Sequence, residues 1–459
     1  MGSTSEDRSG GQAAAAPEET VWPAHSGVGG VSLAVERARP ADRSPDAARA
    51  ALARWSEAPA QAFPYADVLG YYRAVGRNHA DDELLAELRA VGERLTPAAP
   101  AYGEERLLAD WLPMTYDRTD GDYDSYIGTT VFDSLVEQAG PGRRVEAVDG
   151  FTAVAVADLV AIEADALAAA PDAPRAYART RAAARTLTRI GDYLPYAAAE
   201  SEDLAQLRTV LSVQSAADIL AAVAAKAAQS TAARFPVIHR KAVELTLIPT
   251  TRLHDELMFI RSIQIFEGIY QQVARGVEAA SAGLERGDVA AVCELLADAA
   301  ARIEATPILY RVLTGMPVES FAVIRGYTDG RSAIQSRWYR QVEAFCMPGQ
   351  PMPTGKKIPD VRVEGPGLDA AFVARAAALH TDDARRVAEA MLRLDKAWGA
   401  MKRNHWGLTL KIIGDVPGTG GTSGASYLKT AAQVPLFPRL RRDAGAEGAS
   451  HTTTDEGVH

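Results

Sequence analysis

The sequence predicts an all-α protein, on three observations. Alanine is abundant and runs of β-branched residues are scarce, which favours helix over strand. Apolar residues recur at helical spacing, most clearly at Val387, Met391, Leu394, Trp398, Met401, His405, Leu408 and Ile412, in steps of 4, 3, 4, 3, 4, 3 and 4. Start and stop signals bracket that stripe: Thr381 as N-cap with Asp382 and Asp383 in the first turn, then Gly414 and Pro417 at the far end. One long helix is expected over roughly 381–413, with a histidine within its buried face.

The whole chain sets bounds. Its 459 residues suffice for two to three domains or one large one. A content of 47% hydrophobic and 24% charged residues is that of a soluble globular protein. The two cysteines, Cys293 and Cys346, exclude a disulfide framework and an iron–sulfur site and fit a reducing cytoplasm. A net charge of −10 argues against a nucleic-acid partner. No apolar run reaches about 18 residues, so no membrane span is expected. The Ser/Gly/Glu-rich N-terminus does not read as a signal peptide. A cytoplasmic location is expected.

In chain order, residues 1–30 are low-complexity and expected to be disordered. Residues 31–235 form an N-terminal helical region. Within it Ser44-Pro45-Asp46 and Ala80-Asp81-Asp82-Glu83 open helices between 44 and 96. A Pro-rich stretch from 97 turns helical up to Trp111-Leu112-Pro113, and alanine-rich segments at 161–170 and 215–229 read as packed helices. Asp117, Asp120, Asp122 and Asp124 make an acidic knot. Counted from Asp120, a calcium loop fails at Ser125 and at Val131, where glycine and glutamate are needed, so a solvated turn is expected. Nothing between 31 and 235 carries a catalytic signature. The region is either an extra helical domain or a packing shell for the C-terminal part of the chain.

His254-Asp255-Glu256 opens a helix whose stripe runs through Ile260, Ile263, Ile269, Val273 and Val277, with His254 expected as a surface residue near the cap. Residues 347–369, rich in Pro and Gly, are a long loop, either a lid or a surface connection. After Leu428 comes one more apolar stretch, Val434-Pro435-Leu436-Phe437, and then a tail expected to be disordered.

His405 has two readings: a core histidine bonded to a backbone carbonyl, or a metal ligand. Its own helix face offers no Cys, Asp or Glu at i+3 or i+4, so it does not suit zinc, which takes three or four protein ligands. It does suit haem, which can take a single histidine from the protein. The run Gly418-Thr419-Gly420-Gly421-Thr422-Ser423-Gly424 lets backbone approach a ligand and presents hydroxyls. It is no Walker loop, because no lysine stands in the required place.

The segment HxxxxxxxIGxxxGTGGTSGxxYL from His405 to Leu428 resembles the C-terminal signature of the tryptophan 2,3-dioxygenase and indoleamine 2,3-dioxygenase superfamily. Two further blocks are similar to that superfamily in the same order: His254-Asp255-Glu256-Leu257-Met258-Phe259-Ile260, and Ser320–Arg325 with Ser332–Arg340 after it. The resemblance covers roughly 236–434, which is expected to be the haem-binding oxygenase domain, leaving 435–459 as the tail. It implies a helical-bundle haem domain with the additional N-terminal region. It also implies haem b, with His405 as axial ligand of the iron and Gly418 and Gly420 close to the cofactor.

The resemblance further implies that Phe259 packs on an indole, that Phe321 lines the pocket, that Arg325 pairs the substrate carboxylate and that Thr419 contacts the amino-acid end. Arg340 is expected to be structural. The chain departs from the pattern at Ile263, where tryptophan 2,3-dioxygenases keep a histidine that bonds the indole N–H. An isoleucine can neither accept that proton nor act as a base. The implied activity is O2-dependent cleavage of the indole ring of L-tryptophan or a derivative. The alternatives are a mono-oxygenase or ring-rearranging enzyme acting on a modified indole or tyrosine in secondary metabolism, and a non-catalytic haem sensor. Members of the superfamily range from monomers to tetramers, so a homo-oligomer is compatible with the sequence.

Overall fold

The computed structural model describes residues 44–442, except residue 60 and residues 96–102, 118–121, 329–334, 348–360, 362, 364 and 415–422. Residues 1–30, Asp120, most of the 347–369 loop, the Gly418-Thr419-Gly420 run and the tail beyond 442 therefore lie outside the described residues. Among the described residues the regular elements are helices and no strand is present, as composition predicts.

A first group of helices comprises α1 (Asp46–Glu57), α2 (Tyr65–Val75), α3 (Asp82–Leu95), α4 (Glu104–Tyr116), α5 (Tyr123–Ile127) and α6 (Thr129–Gln138). The long α7 (Arg144–Ala169) is next, then α8 (Pro174–Thr188), α9 (Glu202–Ser212), α10 (Ala217–Ala233) and α11 (Val237–Leu245). The remainder is α12 (His254–Arg286), α13 (Val289–Glu304), α14 (Pro307–Leu313), α15 (Val318–Tyr327), α16 (Arg337–Cys346), α17 (Gly367–Ala376), α18 (Thr381–Ile412) and α19 (Ala425–Ala431). Helix α17 begins inside the stretch expected to be loop, because Leu368 and Phe372 are buried. Among the described residues no helix is long and apolar enough to cross a membrane.

Helix α12 is the hub, with α7, α13 and α16 packed around it. Helix α7 is apolar nearly all round (Phe151, Val154, Val156, Leu159 and Val160 are all buried), the pattern of a helix surrounded by others. Gly268 of α12 lies against Thr152 of α7; a Cβ there would collide with the threonine hydroxyl and stand 3.1 Å from its Cβ. Threonine is stiff at χ1, so the helices themselves would have to part. Gly268→Ala should therefore cost about 1–3 kcal/mol, read as a fall in Tm, and adding Thr152→Ala should restore most of it. An undiminished Tm in the single variant would mean that the two helices are not so closely apposed.

Buried ion pairs lock the hub. Arg302 of α13 donates to both oxygens of Asp149 on α7, at 2.8 and 3.3 Å, and Gln272 of α12 donates to the same carboxylate at 2.7 Å. Arg179 of α8 joins Glu163 of α7, at 2.9 Å, to Asp255 of α12. Burial works to raise the pKa of Glu163, but Arg179 and His254 outweigh it and hold it at about 2. His254 stands 3.2 Å from Glu163 with only 14% of its side chain exposed, so it belongs to this network and is not the surface residue expected. Breaking such a pair from one side leaves an uncompensated buried charge.

Helix α18 keeps the predicted stripe: Val387, Met391, Leu394, Trp398 and Met401 are all buried. Its N-cap is His380 rather than Thr381: the imidazole accepts from the Asp382 N–H at 3.4 Å, and Thr381 is already helical. Beyond α19, Leu436 and Phe437 are buried in the core, and Asp395 of α18 accepts from the Leu436 N–H at 2.7 Å.

Candidate functional site

Helices α5, α12, α14, α15, α16, α18 and α19 enclose a cavity of about 230 Å³. One wall is α12, which presents Phe259, Ile263, Phe266, Glu267 and Tyr270. Phe259, Ile263 and Glu267 recur every four residues and so form one face. Phe321 and Arg325, one turn apart on α15, lie beside that wall, with the Phe321 ring edge-on to Phe259 at a centroid distance of 5.5 Å. Helix α18 contributes His405, Leu408, Thr409 and Ile412, and α14 contributes Tyr310.

His405 faces this cavity with its ring nearly parallel to that of Tyr310, at 6.4 Å and 28°. Among the described residues no hydrogen-bond or ionic partner is recorded for the imidazole. Its burial lowers its pKa to about 4, so it is neutral at neutral pH, the form that binds a metal. Nor is there, among the described residues, a group of three or more His, Cys, Asp or Glu side chains placed to hold a metal ion. A metal bound at His405 would have to bring its other ligands with it, as haem does. A neutral imidazole with no hydrogen-bond partner among the described residues, facing a largely aromatic and aliphatic cavity, fits that group.

The polar side of the site comes from α5, inside the acidic knot. The expected solvated turn is instead a short buried helix. Asp122 caps it by accepting from the Asp124 N–H at 3.1 Å, and Asp117 is buried and accepts from the Ser125 hydroxyl. Tyr123, Tyr126 and Ile127 turn inward onto the cavity. The Tyr126 hydroxyl donates to Glu256 at 3.0 Å. Glu256 also accepts from the backbone N–H and hydroxyl of both Thr250 and Thr251, so five donors fix one buried carboxylate at the start of α12.

The Tyr123 hydroxyl donates to Glu267 at 2.7 Å. Burial drives the pKa of Glu267 up; hydrogen bonds from Ser336 and Tyr123 oppose the rise, Asp124 and Asp133 add to it, and the result is about 7. Burial also keeps the Tyr123, Tyr270 and Tyr339 hydroxyls protonated well beyond neutral pH, so they remain hydrogen-bond donors.

No family model matches the chain. It is similar to curated proteins named tryptophan 2,3-dioxygenase. The one from Anaeromyxobacter sp. (strain K) is 25% identical over 237 residues, 43% of this chain and 89% of the relative. The one from Nocardioides sp. is 27% identical over 222 residues, 41% and 83% respectively, and the one from Ruegeria pomeroyi 25% over 246 residues, 44% and 88%. The similarity to tryptophan 2,3-dioxygenases covers about two fifths of this chain and more than four fifths of each of these relatives.

Phe259, Ile263, Phe321, Arg325 and His405 line one cavity although they are spread over about 150 residues. Thr419, Gly418 and Gly420 lie outside the described residues. Arg340 is 2% exposed on α16, and burial lowers its pKa. Sequence reasoning missed Tyr123, Tyr126 and Glu267. The two tyrosines of the YDSYI run flank a helical turn, a signal masked by the aspartates around them. Glu267 stands four residues beyond Ile263 and so belongs to the same face, which the apolar pattern alone passes over.

Proposed function

We propose that the chain is a haem-dependent oxygenase that inserts O2-derived oxygen into the indole ring of L-tryptophan or a tryptophan derivative. The observation that carries this reading is the neutral His405 imidazole, without a hydrogen-bond partner among the described residues, facing an aromatic cavity that Arg325 also lines. His405 would hold haem b through its iron. The bound haem supplies the oxygen chemistry at the electron-rich C2=C3 bond of the indole. The chain does the rest. Phe259 and Phe321, packed edge to face against each other, wall one side of an aromatic ring, and the planar guanidinium of Arg325 grips an α-carboxylate as a fork, which fixes the amino acid in one orientation. The apolar walls exclude water, and positioning of this kind is what the protein contributes to the rate.

A second reading rests on Ile263. An apolar residue there leaves room for a ring substituent and strands no buried polar group when one is present. That favours a modified indole, with a mono-oxygenase or ring-rearranging outcome. The substrates would be a small aromatic amino acid and O2.

The test is an absorption spectrum of the protein supplied with haem, oxidised and reduced, with and without L-tryptophan. A Soret band that shifts with tryptophan is expected, and product mass then separates one added oxygen atom from two. A Soret band indifferent to tryptophan points to a modified indole, a tyrosine-like substrate or a sensor. No Soret band at all would overturn the haem assignment.

A further inference from the structure

Glu267 is a buried acid in a wall otherwise made of aromatic rings and Ile263. It is 6% exposed and lies four residues beyond Ile263 and eight beyond Phe259, about 6 and 12 Å along the α12 axis. Helix α15, which carries Arg325, docks at the Phe259 end through Phe321. Glu267 therefore lies well along the cavity from that dock.

A carboxylate has room for about four hydrogen bonds. Tyr123 and Ser336 supply two. Among the described residues no cation is recorded against Glu267; Asp124 on α5 and Asp133 on α6 both oppose its charge, and the neighbouring Tyr270 is a neutral phenol. A buried acceptor with spare capacity and no cation calls for a further donor. On its other side Glu267 lines a pocket of about 30 Å³ with Asp133, Gln264 and Gln271, space for about one water. That flank has room for a water beside the carboxyl, so a ligand need not strip it bare.

We propose that Glu267 is a specificity-determining residue, its carboxyl accepting a hydrogen bond from a donor on the ring of an aromatic amino acid whose carboxylate is held at Arg325. The assignment rests on the proposed aromatic amino-acid site and narrows it to rings that carry an N–H or O–H. A ring without a donor leaves the buried carboxyl under-bonded and binds more weakly.

The test is calorimetric binding of L-tryptophan and 1-methyl-L-tryptophan to the full haem-loaded chain and to its variants. The wild-type protein should prefer L-tryptophan by roughly tenfold. Glu267→Gln, whose amide oxygen still accepts, should keep the preference, and Glu267→Leu should bring the ratio close to one. Glu267→Met, of similar volume, takes its place if the leucine variant does not fold. A ratio unchanged in the apolar variant overturns the proposal while leaving the aromatic site standing. Failure of the wild-type protein to bind either ligand removes the aromatic site itself, and this proposal with it.

Discussion

His405→Ala should lose most of its haem. Losing a group that merely supports a metal ligand costs about 10–100-fold in affinity, and losing the ligand itself should cost more. The control is His239, also half-buried, with a pKa lowered by burial to about 4 and its ring 3.9 Å from that of Phe151. It does not line the cavity, so His239→Ala should load haem normally. The two variants separate a role in ligation from the general cost of removing a half-buried imidazole. A His405→Ala protein with full haem content and an unaltered Soret band would exclude ligation by this residue.

Arg325→Ala should weaken L-tryptophan by about 10–150-fold, the range expected when a hydrogen-bonded charge loses its partner. Haem content should not change. Tryptamine, which has the ring but no carboxylate, should bind the variant and the wild type alike. Arg325→Lys should fall between them, because an ammonium keeps the charge but not the planar fork. Equal losses for tryptophan and tryptamine would show that the arginine supports the wall and does not read the carboxylate.

The long helices were legible because burial writes itself as period. The steps from Val387 to Ile412 translate directly into the buried face of α18, and His405 sits where that stripe meets the cavity. What the sequence hid depends on partners far along the chain. Glu267 finds Tyr123 across 144 residues, Glu256 finds Tyr126 across 130, and His254 finds Glu163 across 91. Local rules put acids and histidines on the surface unless they are paired, and the pairing is not local. The acidic knot misled for the same reason: its aspartates look solvated, while the tyrosines between them decide which way the segment faces. The N-cap moved by one residue because the His380 imidazole accepts as a hydroxyl would, a substitution that cap preferences do not anticipate.

Among the described residues the cavity's walls come from 123–127, 259–270, 310–328, 336–339, 405–413 and 424–431. No fragment of the chain owns it. A nascent or clipped chain that lacks any one of these stretches has no vessel for a ligand, however well the remainder packs. Loops of more than a hundred residues must close before the site exists, and such closures are slow. The converse is that an occupant acts as a clasp across the whole length of the chain. At a hundredfold excess over its Kd, a ligand adds about 2.7 kcal/mol to the folded state, and that gain is shared by helices that never touch it. Cofactor supply in the cell would then govern how much of this protein survives as well as how much of it is active.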